Sequence, residues 1–154
     1  MKGVDAKTIT VNAKSNLAFT LMCLPKERRK DMVSFYAFCR VVDDIADEPG
    51  FTFDQRMEML GEWKDGLLNG FLDPNSLQSK VSFLREKYTI EPELFAEIIS
   101  GMEMDVSGTE YVNFDDLKRY CYRAASVVGL ICLKIFGAND PRSKDYAINL
   151  GYAL

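Results

Sequence analysis

The residues from Met32 to Ala46 put apolar side chains on every side of a helical wheel, and few folds can use such a helix. At about 100° per residue, Met32, Phe35, Cys39, Val42 and Ala46 form one stripe. Val33, Ala37, Phe38, Val41 and Ile45 fill the remaining sides. A helix of this kind belongs in the middle of a bundle, so the chain is expected to be all-α. Leu24-Pro25 precedes it and Glu48-Pro49-Gly50 stops it, which predicts a helix from about Lys26 to Ala46, about 30 Å long at ~1.5 Å per residue. Its last two turns nevertheless carry Arg40, Asp43, Asp44 and Asp47.

Other helical signals follow with short breaks, and no segment sustains the apolar-polar alternation of a strand. Thr52-Phe53-Asp54-Gln55 fits a capping box opening a helix whose Met57, Leu60, Trp63 and Leu67 make one buried stripe, ending at Asn69-Gly70. Further helices are predicted over Ser76 to Tyr88, Pro92 to Val106 and Asp115 to Phe136, the last capped by Asn113 and closed by Gly137. Asp140-Pro141 begins another. There is no internal repeat or linker, and 154 residues at 47% hydrophobic content suit one folded domain.

With no histidine in the chain, a Ser-His or Cys-His nucleophile and a histidine metal site are excluded, so chemistry falls to carboxylates, Tyr, Lys, Arg or bound ions. Cys23, Cys39, Cys121 and Cys132 lie in apolar stretches without C-x-x-C spacing and read as reduced, buried thiols. A net charge of -4, with no basic block beyond the short Lys26 to Lys30 cluster, gives no footprint for nucleic acid. The first residues lack a signal-type apolar segment, and the longest apolar run, Ala124 to Leu133, falls well short of the roughly twenty residues that span a bilayer. The expected location is cytoplasmic with no transmembrane segment, and peripheral membrane contact stays open.

Tyr36, Arg40, Asp43 and Asp47 are spaced four, three and four, so they share one helix face. Three carboxylates against one guanidinium leave about two excess negative charges, and burying them unpaired would cost several kcal/mol per ion. A divalent cation would remove that cost, and an all-oxygen set with two carboxylates one turn apart suits Mg²⁺. The alternative is a solvated helix end at the surface, and D-x-x-x-D alone does not separate the two.

Two longer stretches go further. Leu24-Pro25-Lys26-Glu27-Arg28-Arg29, followed by Ser34-Phe35-Tyr36-Ala37-Phe38-Cys39-Arg40-Val41-Val42-Asp43-Asp44-Ile45-Ala46-Asp47, resembles the first signature of the squalene/phytoene synthase family. A second stretch, Gly101-Met102-Glu103-Met104-Asp105 and then Tyr120-Cys121-Tyr122-Arg123-Ala124-Ala125-Ser126-Val127-Val128-Gly129-Leu130, is similar to that family too. The resemblance implies an all-α isoprenoid-synthase fold with helices around a central cavity, where two facing aspartate-rich motifs hold Mg²⁺ and diphosphates. Asp43, Asp44 and Asp47 would form the first motif. Arg40 and Tyr36 would hold a diphosphate, and Tyr120 would assist ionisation or steer the carbocation. The plainer roles for these three are an ion pair with a neighbouring aspartate and core aromatics.

By the same resemblance, Ala124, Ala125, Ser126, Val128 and Gly129 would belong to a narrow helix beside the prenyl tail, with close helix packing as the other reading of the small residues. Ser15 and Asn16 stand where the family places small polar residues against diphosphate. The implied reaction joins two prenyl diphosphates head to head, farnesyl diphosphate being favoured, giving presqualene diphosphate and squalene or a phytoene-like product. NADPH would be needed if the product is squalene. The alternative is a catalytically inactive fragment, or a non-catalytic lipid-binding or assembly member of the family. The sequence reaches Leu154 in helical pattern, before any second aspartate-rich motif, so residues 1–154 are expected to be the N-terminal part of a single isoprenoid-synthase domain.

Overall fold

The structure, a computed structural model, describes residues 24–154. Ser15, Asn16 and Cys23 lie outside the described residues. The described chain is all-helical: α1 (Lys26–Asp47), α2 (Phe53–Asn69), α3 (Ser76–Lys87), α4 (Pro92–Val106), α5 (Phe114–Cys121), a π-helical turn (Tyr122–Ser126), α6 (Val127–Phe136) and α7 (Pro141–Ala153). None of these helices is long and apolar enough to cross a membrane.

Local chemistry explains where most helices start. The Thr52 hydroxyl accepts from Gln55 N while the Gln55 side chain accepts from Thr52 N, the predicted capping box. Asn75 and Gln78 build a second such box on α3. Asn113 caps α5 and Asp140 caps α7, with Pro141 in its first turn. Several C-termini are closed from elsewhere in the fold. Arg56 donates to Ala46 O and Glu48 O at the end of α1, Arg85 to Leu67 O near the end of α2, and Arg28 to Phe136 O at the end of α6. These guanidinium groups satisfy carbonyls that a helix end leaves without partners and lie favourably against its dipole.

As its wheel predicted, α1 is the centre of the bundle, contacting α2, α3, α4 and α6. Phe35 and Phe38 are buried from it, and Phe38 meets Trp63 of α2 at 5.4 Å and Phe95 of α4 at 5.3 Å, both edge-on. Each such aromatic contributes about 1.5–3 kcal/mol by burial, with roughly 0.5–1.5 kcal/mol more per well-oriented ring pair. This packing holds the last turns of α1 in a fixed place.

Two expectations change. The predicted helix from Asp115 to Phe136 is interrupted: α5 begins at Phe114, and Tyr122–Ser126 winds as a π-helix before α6. That wider turn lies where other helices press in. A Cβ on Gly101 of α4 would stand 3.2 Å from Arg123 Cβ, and one on Gly151 of α7 would stand 2.3 Å from Ser126 Oγ. The charged end of α1 is also less enclosed than its apolar wheel implies, with Arg40, Asp43 and Asp44 side chains 42%, 41% and 49% exposed. They stand at the rim of the core because the residues inward of them, Val42, Ile45 and Ala46, take the buried positions.

Candidate functional site

The last turns of α1 carry a compact charge cluster. Arg40 donates one Nη to Asp43 Oδ2 at 2.6 Å and the other to Asp44 Oδ1. Asp47, one turn beyond Asp43, is exposed and Tyr36, nearly two turns before it, is half-buried. Desolvation pushes the Asp43 carboxyl above the usual range and Asp47 and Asp44 push it further, against the pull of Arg40. Arg40 alone does not offset the combined effect of burial and the neighbouring acids.

A second acid faces this cluster. Asp105, in the last turn of α4, is likewise raised, first by desolvation and then by Asp47 and Asp43, with the Tyr120 hydrogen bond opposing. Neither α1 nor α4 has a basic residue in its last turn, so both ends place carboxylates against the unfavourable pole of a helix. Sequence reasoning quoted Asp105 within Gly101 to Asp105 but gave it no role. An acid closing a largely apolar helix that lacks terminal basic residues was the available signal.

Tyr120 joins the same group from α5, its hydroxyl donating to Asp105 Oδ2 at 3.1 Å. Tyr111, from the loop between α4 and α5, lays its ring 5.4 Å from that of Tyr120 with a 38° tilt. Desolvation and the Asp105 carboxylate drive the Tyr120 phenol far above its ordinary value, so it stays protonated at physiological pH.

The small residues divide between two sides. Ser126 donates to Ile148 O at 2.8 Å and touches Gly151, while a Cβ on Gly129 would stand 3.2 Å from Ala147 Cβ. For these two positions, close packing against α7 accounts for the small side chains. Ala125 and Val128 lie off that contact and are half-buried. Cys132, one turn after Val128, lies within electrostatic reach of Cys39 on the apolar stripe of α1, and Val128, Cys132 and Cys39 all pack against the core. Burial raises both thiols, Cys132 to about 11, and neither is a ready nucleophile. A groove of about 460 Å³ over Leu94, Tyr122, Leu130 and Leu133 lies elsewhere, and no predicted site residue lines it.

Among the described residues no three carboxylates or thiols converge closely enough to cage a metal. The donors still fit a hard divalent cation of the Mg²⁺ type, which takes one or two carboxylates and completes its shell with water and phosphate oxygens. Asp43 and Asp47 are the pair one turn apart, Asp105 adds charge from the facing helix, and Asp44 is held aside by Arg40.

Comparison with known proteins identifies the fold and the family. The fold matches the crystal structure of squalene synthase HpnC from Alicyclobacillus acidocaldarius with a TM-score of 0.80 and 25% identity, covering 97% of this chain and 56% of that one. Phytoene synthase of Mycobacterium tuberculosis is 30% identical over 148 residues, 96% of this chain and 49% of that protein. Presqualene diphosphate synthase of Zymomonas mobilis is 33% identical over 165 residues, 99% of this chain and 54% of that protein. The chain therefore spans about half the length of the curated relatives it matches. Residues 10–154 match the squalene/phytoene synthase family as a whole, and with the isoprenoid-synthase fold and the carboxylate-lined helix ends in place, the chain belongs to that family.

Proposed function

We propose that the polypeptide carrying this chain condenses two prenyl diphosphates head to head in the cytoplasm, with farnesyl diphosphate as the favoured substrate and Mg²⁺ as the required ion. The observation that carries this reading is the Arg40-Asp43-Asp47 face of α1 standing opposite Asp105 and Tyr120, three elements contributing polar groups to one rim of an apolar bundle. Asp43 and Asp47 hold the ion, with Asp44 beside them. Mg²⁺, when bound, supplies the positive charge that neutralises a departing diphosphate.

Arg40 adds charge at the same rim, and one preorganised donor of this kind is worth about 3–4 kcal/mol of transition-state stabilisation. The C–O bond of the first substrate breaks with its electron pair leaving on diphosphate, and the double bond of the second attacks the allylic cation. Loss of a proton to the diphosphate or a carboxylate closes the cyclopropane, which needs no histidine. Tyr36 helps orient the diphosphate, and Ala125 and Val128 leave room for the prenyl tail, with Gly129 behind them against α7. The apolar helices keep water from the cation. Release of presqualene diphosphate completes the reaction, or its remaining diphosphate departs with ring opening and the resulting cation takes hydride from NADPH to give squalene or loses a proton to give a phytoene-like product.

The direct test is Asp43→Asn in the polypeptide as the cell makes it. Turnover of farnesyl diphosphate with Mg²⁺ should fall below detection while the helical circular dichroism spectrum stays unchanged. Product formation at the wild-type rate would remove Asp43 from the metal site.

A further inference from the structure

We infer that Asp105 is a positioning residue that engages the only hydroxyl proton of Tyr120, so that Tyr120 offers its oxygen lone pairs and ring face, rather than an O–H donor, to the reacting substrate; this rests on the condensation reading above. A phenol has one proton to donate. Here it goes to Asp105 Oδ2 at 3.1 Å. A carboxylate acceptor polarises the donor oxygen toward negative charge, although at 3.1 Å this bond is long for an O–H donor. Tyr111, 5.4 Å away ring to ring, packs beside the phenol and opposes its rotation. The backbone under Tyr120 is fixed by the Asn113 cap, whose Oδ1 accepts from Asp116 N at 3.0 Å.

Asp105 closes α4 within electrostatic reach of Asp43 and Asp47, and the Tyr120 hydroxyl from α5 donates to it there. Two roles were open to Tyr120, assisting the departure of diphosphate or steering the carbocation. Donation to the leaving group requires the proton that Asp105 holds. Electron density directed at a cation does not, and Asp105 increases it.

The experiment uses the polypeptide as the cell makes it, with inorganic diphosphate and Mg²⁺ as the binding probe. Calorimetry should give Tyr120→Phe and Asp105→Asn dissociation constants within about threefold of wild type, because neither change removes a donor to diphosphate, while Asp43→Asn weakens binding by about tenfold or more. In turnover, Asp105→Asn should lower kcat about tenfold or more with KM unchanged, and raise the share of water-captured alcohol among the products. In 3-fluorotyrosine-labelled protein, the ¹⁹F resonance assigned by its loss in Tyr120→Phe should move in Asp105→Asn. If wild type fails to bind Mg²⁺-diphosphate, or Asp43→Asn binds as wild type does, the condensation site itself is wrong. If those two behave as expected but Tyr120→Phe loses binding about tenfold, Tyr120 donates to diphosphate and the present inference fails. It fails equally if Asp105→Asn loses binding as Asp43→Asn does, which would make Asp105 an ion ligand, or if the ¹⁹F resonance stays in place. Should Asp105→Asn not fold, the Tyr120→Phe binding comparison alone decides.

Discussion

Asp43 and Asp105 hold protons more tightly than free carboxyls do, desolvation being the first cause at each and neighbouring acids the next. The sign for stability follows. A carboxyl with a raised folded pKa binds more protons in the native than in the unfolded state across the window between the two values, so stability falls as pH rises through it. The penalty is therefore present at neutral pH and vanishes below the ordinary aspartate range. In metal-free buffer, Asp43→Asn should be stabilised relative to wild type at neutral pH, with the gap in Tm narrowing toward acid; a constant gap from pH 7 to 4 would contradict the assignment. Added Mg²⁺ at neutral pH should raise the wild-type Tm more than that of the variant. The Arg40 pairings could be read from spacing alone, since residues three and four apart on a helix are neighbours. The pairing of Tyr120 with Asp105 could not, because it joins the last turns of two different helices across a loop.

Helix beginnings are local events, which is why Thr52-Gln55, Asn113 and Asp140-Pro141 announced α2, α5 and α7 in the sequence. The π-turn at Tyr122–Ser126 has no such announcement. It is set between Gly101 and Gly151, residues from two other helices whose missing side chains admit the backbone, and nothing in Tyr122 to Ser126 itself signals their approach. Gly151→Ala would put a Cβ 2.3–2.5 Å from Ser126 atoms that include backbone, so α7 must shift, at a cost of about 1–3 kcal/mol. Thermal melting should show a Tm several degrees lower. Gly61→Ala is the matched control: its Cβ meets nothing within 4 Å inside α2, and removing a helical glycine should stabilise by about 0.5–1 kcal/mol. A lower Tm for Gly61→Ala, or an unchanged one for Gly151→Ala, would show that these packing distances do not govern stability.

At the scale of the whole molecule, the bundle that surrounds α1 was legible because its apolar wheel admits few other placements. The extent of the polar rim was not, since it is assembled by α1, α4 and α5 from positions up to about eighty residues apart. Tyr146 and Leu150 of α7 and Leu154 at its C-cap lie four apart and are 68%, 43% and 92% exposed. The protein should bind a hydrophobic dye such as ANS through this stripe. Leu150→Lys should reduce the dye signal by roughly a fifth, in proportion to the apolar area lost. Undiminished fluorescence would place the dye elsewhere.

The contact between Ser126 and Gly151 bears on how such a protein can diversify. Because α6 is clamped to α7 through Ser126 and Gly129, while Ala125 and Val128 lie off the clamp, the two sides of one helix answer to different pressures. Exchanges at Ala125 and Val128 can alter that side of the helix without disturbing the clamp, so its shape is free to drift in descendants whose architecture does not change.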